Sequence, residues 1–270
     1  MDTRPTLAGA TMTSGEERPE GAAVVGRDLE LTWGRAVALR AASFALPSAA
    51  TIALVGPNGA GKTTLLHAIA GLLRPTSGSL TVPARRVRRA NVAYVMQATP
   101  MAAEMPLTVR EVVTMGRYGH LGPFRPLRGD DRSRVDAALE RLGVGDLQGR
   151  QLRELSGGQR QRVFVAQGLV QEADLLLLDE PVTGLDLLSR QRILEAVAAE
   201  RAAGRTVVMS THDLGDAQAV DHVVLLAGVV VAHGAADEVL TLDNLSLAYG
   251  GRMIALEGGL ALFDDGAHHP

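Results

Sequence analysis

The chain has no cysteine, which excludes disulfide staples and thiolate metal sites alike. Of its 27 basic residues one is a lysine, Lys62, and the rest are arginines. Aromatic residues amount to 3%, with a single tryptophan, Trp33, so the core has to be assembled from Leu, Val, Ala and Ile. No apolar run approaches the roughly 18 residues that a membrane-spanning helix needs; the longest, Val223 to Ala232, is interrupted by Gly228. The opening stretch mixes Arg4, Glu16, Glu17, Arg18 and Glu20 with Gly, Thr and Pro. It lacks the apolar centre of a signal peptide and reads as a disordered tail over residues 1–23. A net charge of -3 argues against a protein that blankets nucleic acid with positive charge. What remains is a cytoplasmic globular protein of 270 residues, enough to bury a sizeable core.

Thr51 to Val55 is a short β-rich apolar run that ends at Gly56 and reads as a buried strand. Beyond a Gly-rich loop, Thr63 to Leu73 carries apolar residues at helical spacing. Gly78 is expected in a turn before another strand, and Val92 to Met96 is a further strand. From about residue 100 to 167 strand character is lost. Val109 to Met115 and Arg134 to Leu142 look helical there, with a Gly- and Pro-containing loop from Gly116 to Gly129 between them. Strands return at Leu175 to Leu178 and Thr206 to Ser210, joined by a helix over Leu187 to Ala203. Val223 to Leu226 and Val229 to Ala232 form a hairpin around Gly228. Strands that alternate with helices imply a parallel sheet with crossover connections, and the helical middle looks inserted into it.

Three motifs carry chemistry. Gly56-Pro57-Asn58-Gly59-Ala60-Gly61-Lys62-Thr63 matches the phosphate-loop pattern between a strand and a helix. Its glycines let backbone N–H groups converge on phosphate oxygens, and the helix adds its positive end. Lys62 supplies a compact charge to the terminal phosphates of ATP, the Thr63 hydroxyl suits Mg²⁺, and Thr64 follows in the same turn. An arginine's wide planar fork does not suit such a loop, which accounts for the one lysine kept in an arginine-rich chain. The second motif, Leu175 to Pro181, delivers Asp179 and Glu180 at the carboxyl end of a buried strand. From there Asp179 can hold Mg²⁺ through water and Glu180 can polarise an attacking water. The third, Leu155-Ser156-Gly157-Gly158-Gln159, opens a helix and reads on its residues alone either as an N-cap or as a second anion nest.

Leu-Ser-Gly-Gly-Gln between the two phosphate motifs resembles the signature of ABC ATPases, and the likeness runs from about Arg27 onwards. It implies an α/β fold of the P-loop NTPase class: a mainly parallel sheet, an antiparallel β portion and an inserted helical subdomain. The ATPase domain would span 24–262, with the helical subdomain at about 100–167 and a flexible tail at 263–270. The resemblance makes Gln97 a contact for magnesium and water, and His212 a contact for the γ-phosphate. It makes Asp186, in Thr183-Gly184-Leu185-Asp186, the acid of a loop that meets a partner subunit, and Trp33 an aromatic that stacks on adenine in place of the more usual tyrosine. It also implies a dimer with two ATP molecules between the copies. Each is held by one phosphate loop and by Ser156, Gly157, Gly158 and Gln159 of the other copy.

One phosphate loop and no sustained heptads favour a transporter subunit over a soluble ABC ATPase of repair or translation. Such a subunit docks on membrane permease subunits at the inner face of the membrane and works indirectly with an extracytoplasmic binding protein, without nucleic acid. Pro106 to Val113 and Met115 to Gly122 resemble the ATPases of zinc, manganese and iron importers, with iron-siderophore or haem importers as the alternative. The short run from Gly78 to Asn91 and Gly184-Leu185-Asp186 tilt towards metal ions. Arg85, Arg86, Arg88 and Arg89 read as a solvated hairpin, and His268-His269 as part of the tail rather than a ligand pair.

Overall fold

The computed structural model describes residues 21–86, 92–97, 106–121, 126–250, 253–256 and 259–262. Arg88, Arg89, His268, His269 and most of the two tails lie outside the described residues. At the centre is a six-stranded sheet in the order β5 (Val92–Val95), β6 (Leu175–Leu178), β7 (Thr206–Thr211), β3 (Thr51–Val55), β8 (His222–Leu226) and β9 (Val230–Gly234). The first five run parallel and β9 closes the edge antiparallel. These strands are near-continuous apolar runs because both faces are covered. Ile52, Leu54, Leu175, Leu177, Val208 and Val224 face one core. Leu176, Leu178, Val207 and Met209 face a second, and Ala53, Val55, Val223 and Leu225 a third. Each fully buried leucine is worth about 1.5–3 kcal/mol over an exposed one.

The first core is roofed by an antiparallel sheet, β2 (Ala36–Pro47), β1 (Ala22–Trp33) and β4 (Ser77–Thr81), and by α1 (Lys62–Ala70). β1 takes in Ala22 and Ala23, which the sequence reading placed in the tail, and Gly78 lies inside β4 rather than in a turn before it. The second core lies under the helical middle: α2 (Val109–Met115), α3 (Tyr118–Leu121), α4 (Gly129–Arg141) and α5 (Gly157–Leu169). Thr108 and Glu111 close α2 with a reciprocal capping box. The segment expected as a loop from Gly116 to Gly129 contains α3. Also, α4 starts five residues earlier than expected, where Asp131 accepts the Arg128 N–H at 3.1 Å. Arg117, 6% exposed, pins this layer: it donates to Asp131 at 3.0 Å, to the Val170 carbonyl at 2.7 Å and to Glu172 at 3.1 Å. Among the described residues the further α-helices are α6 (Leu187–Ala202), α7 (Leu214–Gln218), α8 (Ala236–Val239) and α9 (Leu242–Tyr249), and β10 (Met253–Leu256) pairs with β11 (Gly259–Leu262). No helix among the described residues is long and apolar enough to cross a membrane.

On β8 and β9, the rings of His222 and His233 lie 5.7 Å apart. Burial, and then the neighbouring His233, push the half-buried His222 imidazole below its ordinary range, so it sits best neutral. In the unfolded chain His222 titrates near 6.5, so the folded state is unpenalised above that pH and loses stability as pH falls below it, through its depressed folded value. The melting temperature should therefore drop between pH 7.5 and 5.5, and His222→Gln should flatten that dependence.

Candidate functional site

Four of the parallel strands end on the same side of the central sheet, and the motif residues follow their carboxyl ends. The loop Gly56–Gly61 follows β3, Gln97 follows β5, Asp179 and Glu180 follow β6, and His212 follows β7. The loop is walled by backbone on two sides. A Cβ on Gly61 (φ 98) would lie 2.5 Å from the Ala38 carbonyl oxygen, and one on Gly56 (φ 153) 2.1 Å from that of Leu226. Only glycine fits either place.

Lys62, the first residue of α1, is 6% exposed and donates to the carbonyls of Gly56 at 2.7 Å and Pro57 at 3.0 Å. Burial pushes its ammonium below the usual lysine range, against the opposing pull of Glu180 and Asp179. It is a buried cation held by carbonyl dipoles, a state that an incoming anion relieves. Asn58 and Gly59 at the loop tip are exposed, as is Thr63, whereas Ala60 is buried and Thr64 half-buried.

Asp179 is 4% exposed and accepts three hydroxyls. Thr63 Oγ1 reaches Oδ1 at 3.1 Å, Ser210 Oγ reaches Oδ1 at 2.6 Å, and the Tyr94 phenol reaches Oδ2 at 3.3 Å. Burial first, then Asp179, pushes the Tyr94 phenol far above its ordinary range, so it stays a donor. Glu180, at φ 46, accepts the Gln97 Nε2–H at 3.3 Å on Oε2. Its own N–H donates to Ser210 Oγ at 2.8 Å. Lys62, Thr63, Gln97, Asp179 and Glu180 are thus one bonded or electrostatically coupled cluster. Ser210 and Tyr94 complete it, and sequence reasoning missed both.

Trp33, 57% exposed, stands at the end of β1 with its ring 5.3 Å from that of His67 on α1. His67 in turn meets Tyr94 edge-on at 5.6 Å. A row of rings therefore leads from Trp33 to Asp179. His212 is exposed, and among the described residues no hydrogen bond joins it to the cluster. The helix after it, α7, is fixed by Arg190, whose guanidinium donates to Asp213 at 2.9 Å and to Asp216 at 2.6 Å.

Ser156 caps α5 in a reciprocal box with Gln159, Ser156 Oγ accepting the Gln159 N–H at 3.2 Å and Gln159 Oε1 accepting the Ser156 N–H at 2.9 Å. The N-cap reading of this motif therefore holds within one copy. Gly157 is exposed with open space around it, whereas a Cβ on Gly158 would lie 2.8 Å from Asp186 Oδ2. Asp186 itself caps α6: its carboxylate accepts Ser189 N–H at 2.9 Å and Ser189 Oγ–H at 2.7 Å, bonds that hold it below the usual carboxylate range. No hydrogen bond among the described residues joins this Ser156–Asp186 group to the Lys62 cluster.

Comparison with known proteins places these features in a family. The family described as ABC transporter matches residues 39–183. The chain is 40% identical over 231 residues to the chelated iron transport system membrane protein YfeB of Yersinia pestis, covering 83% of this chain and 78% of that protein. It is 41% identical over 204 residues to the manganese transport system ATP-binding protein MntA of Synechocystis (74% and 78%). With the zinc transport system ATP-binding protein TroB of Treponema pallidum it shares 41% over 230 residues (84% and 86%). Among solved structures, cbiO1 of Clostridium perfringens, part of the ABC transporter complex cbiONQ, superposes with a TM-score of 0.69 at 29% identity, over 83% of this chain and 93% of that one.

Proposed function

The chain belongs to the ABC transporter family as an ATP-binding, ATP-hydrolysing subunit, and from that premise we propose that it energises uptake of a divalent metal ion, zinc or manganese, through separate membrane permease subunits. The observation that carries the chemistry is the cluster itself: a buried ammonium beside two carboxylates, at the carboxyl ends of parallel strands. In this reading the phosphates of ATP lie along Gly56–Thr64, and Lys62 neutralises their charge as it builds during phosphoryl transfer. Thr63, Asp179 and Gln97 offer oxygen donors only, a set that suits Mg²⁺, and would hold it. The ion, when bound, spreads the phosphate charge. Glu180 orients and polarises the attacking water, with Gln97 on its carboxylate and His212 towards the γ-phosphate. Trp33 offers a face to adenine.

The separation of the Ser156 group from the Lys62 cluster supports a two-copy arrangement. Ser156, Gly157, Gly158 and Gln159 of one copy complete the ATP site of the other, and Asp186 lies at the same seam. The pair sits peripherally on the inner face of the membrane, against permease subunits supplied by an extracytoplasmic binding protein. The metal-ion branch rests on the manganese and zinc relatives, each at 41% identity. The second reading is iron-siderophore or haem import, and the relative named for chelated iron, at 40%, supports an iron-chelate substrate within it. Uptake of individual ions in a strain lacking this chain separates the two. Loss of zinc or manganese uptake, restored by the gene, supports the first. Loss confined to siderophore-bound iron or haem moves the assignment to the second.

A further inference from the structure

Ser210 is fully buried near the end of β7, in a strand whose neighbouring members Val207, Val208 and Met209 are apolar core residues. A hydroxyl in such a place is costly unless both its donor and its acceptor are used. Here both are. Ser210 Oγ donates to Asp179 Oδ1 at 2.6 Å and accepts the Glu180 N–H at 2.8 Å. The second bond falls on a residue with φ 46, a left-handed conformation that a side chain other than glycine enters only when its surroundings hold it there. Asp179 and Glu180 are adjacent in sequence, and their carboxylates serve different tasks, so the peptide between them has to be turned and kept turned. Thr63 and Tyr94 also bond Asp179, and Gln97 also bonds Glu180, but among the described residues Ser210 is the side chain that bonds both.

We propose that Ser210 is a positioning residue, which holds the Glu180 backbone in its left-handed turn while orienting the Asp179 carboxylate beside it. The inference rests on the reading of Glu180 as the group that activates water. Without the hydroxyl, the Glu180 N–H loses its partner and the turn relaxes towards ordinary backbone angles. The Glu180 carboxylate then spends less time where water attacks, while Lys62 keeps its own bonds to the Gly56 and Pro57 carbonyls and Thr63 still reaches Asp179.

Ser210→Ala should lower kcat about ten- to a hundredfold, the scale of one or two lost hydrogen bonds at the reacting geometry. The KM for ATP and the equilibrium binding of a fluorescent ATP analogue should change by less than about twofold, as expected for a group that acts after binding. Ser210→Thr, which keeps the hydroxyl, should retain most of kcat. Ser210→Cys, close to serine in size but a weak hydrogen-bonding group, should behave like the alanine variant. The cysteine variant decides the matter if the alanine variant does not fold. Melting curves of each report stability separately from turnover. The proposal is overturned if the folded alanine or cysteine variant keeps kcat within about twofold of the parent, or loses analogue binding in parallel with kcat. Glu180→Gln is the control. If that variant hydrolyses ATP normally, the reading of Glu180 fails; if it is inactive while Ser210→Ala is normal, only the role of Ser210 fails.

Discussion

Glu180→Gln should abolish steady-state ATP hydrolysis, by about a hundredfold or more, and leave ATP binding intact. The amide keeps the size of the carboxylate and can still meet Gln97, 3.3 Å away, and the backbone N–H keeps its bond to Ser210. What is lost is the charge that polarises water. The same substitution removes one of the two carboxylates that stabilise the Lys62 ammonium, so phosphate binding should be preserved or tightened as Lys62 looks for a counter-charge. A phosphate-release assay run beside equilibrium binding of a fluorescent ATP analogue separates these effects. Normal hydrolysis by the variant would remove Glu180 from the role assigned to it.

Lys62→Arg should also abolish hydrolysis, by roughly 10²–10³-fold, and with it transport. Everywhere else in the chain arginine is the cation in use, but this position differs in geometry rather than in charge. The ammonium occupies a cage with the carbonyls of Gly56 and Pro57 at 2.7 and 3.0 Å, in a loop pressed against the backbone of Ala38 and Leu226. A guanidinium is wider and planar, and its donors point in fixed directions that two carbonyls on one loop do not match. Unlike Glu180→Gln, this change should weaken ATP binding as well as turnover. Hydrolysis at the parental rate in the arginine variant would show that charge alone suffices here.

The parts of the site that were legible in the sequence are those whose chemistry is local. The phosphate loop is one contiguous run, and its glycines are dictated by the approach of Ala38 and Leu226 to Gly61 and Gly56. Asp179 and Glu180 stand directly after Leu175–Leu178, a strand legible because burial on both faces makes it wholly apolar. Thr51–Val55 was legible for the same reason. The two longest strands, β1 and β2, were not. β2 is rich in Ala, which has little β preference, β1 carries Gly26, Arg27 and Asp28 in its middle, and the alternation of the pair is broken by register shifts near Gly26 and Leu29. Asp28 and Ala41 have positive φ there, so the burial pattern loses its period of two. The Gly34–Arg35 turn, which links Trp33 to its partner Ala36, was the available signal. Ser210 and Tyr94 were missed because their partner, Asp179, is 31 and 85 residues away. No local pattern marks a hydroxyl that acquires its role only when three strands align.

The lone lysine also has a chemical consequence. In this chain the one side-chain amine is the one buried in the phosphate loop, and every other basic side chain is a guanidinium or an imidazole. Amine-directed acylating or carbamylating agents, which collect on the surface lysines of most proteins, therefore have a single side-chain amine to reach, screened by the fold. Its lowered affinity for protons raises the share present as free amine, and its burial denies reagents the approach. Inactivation by such an agent would thus report opening of this loop rather than wear on the surface.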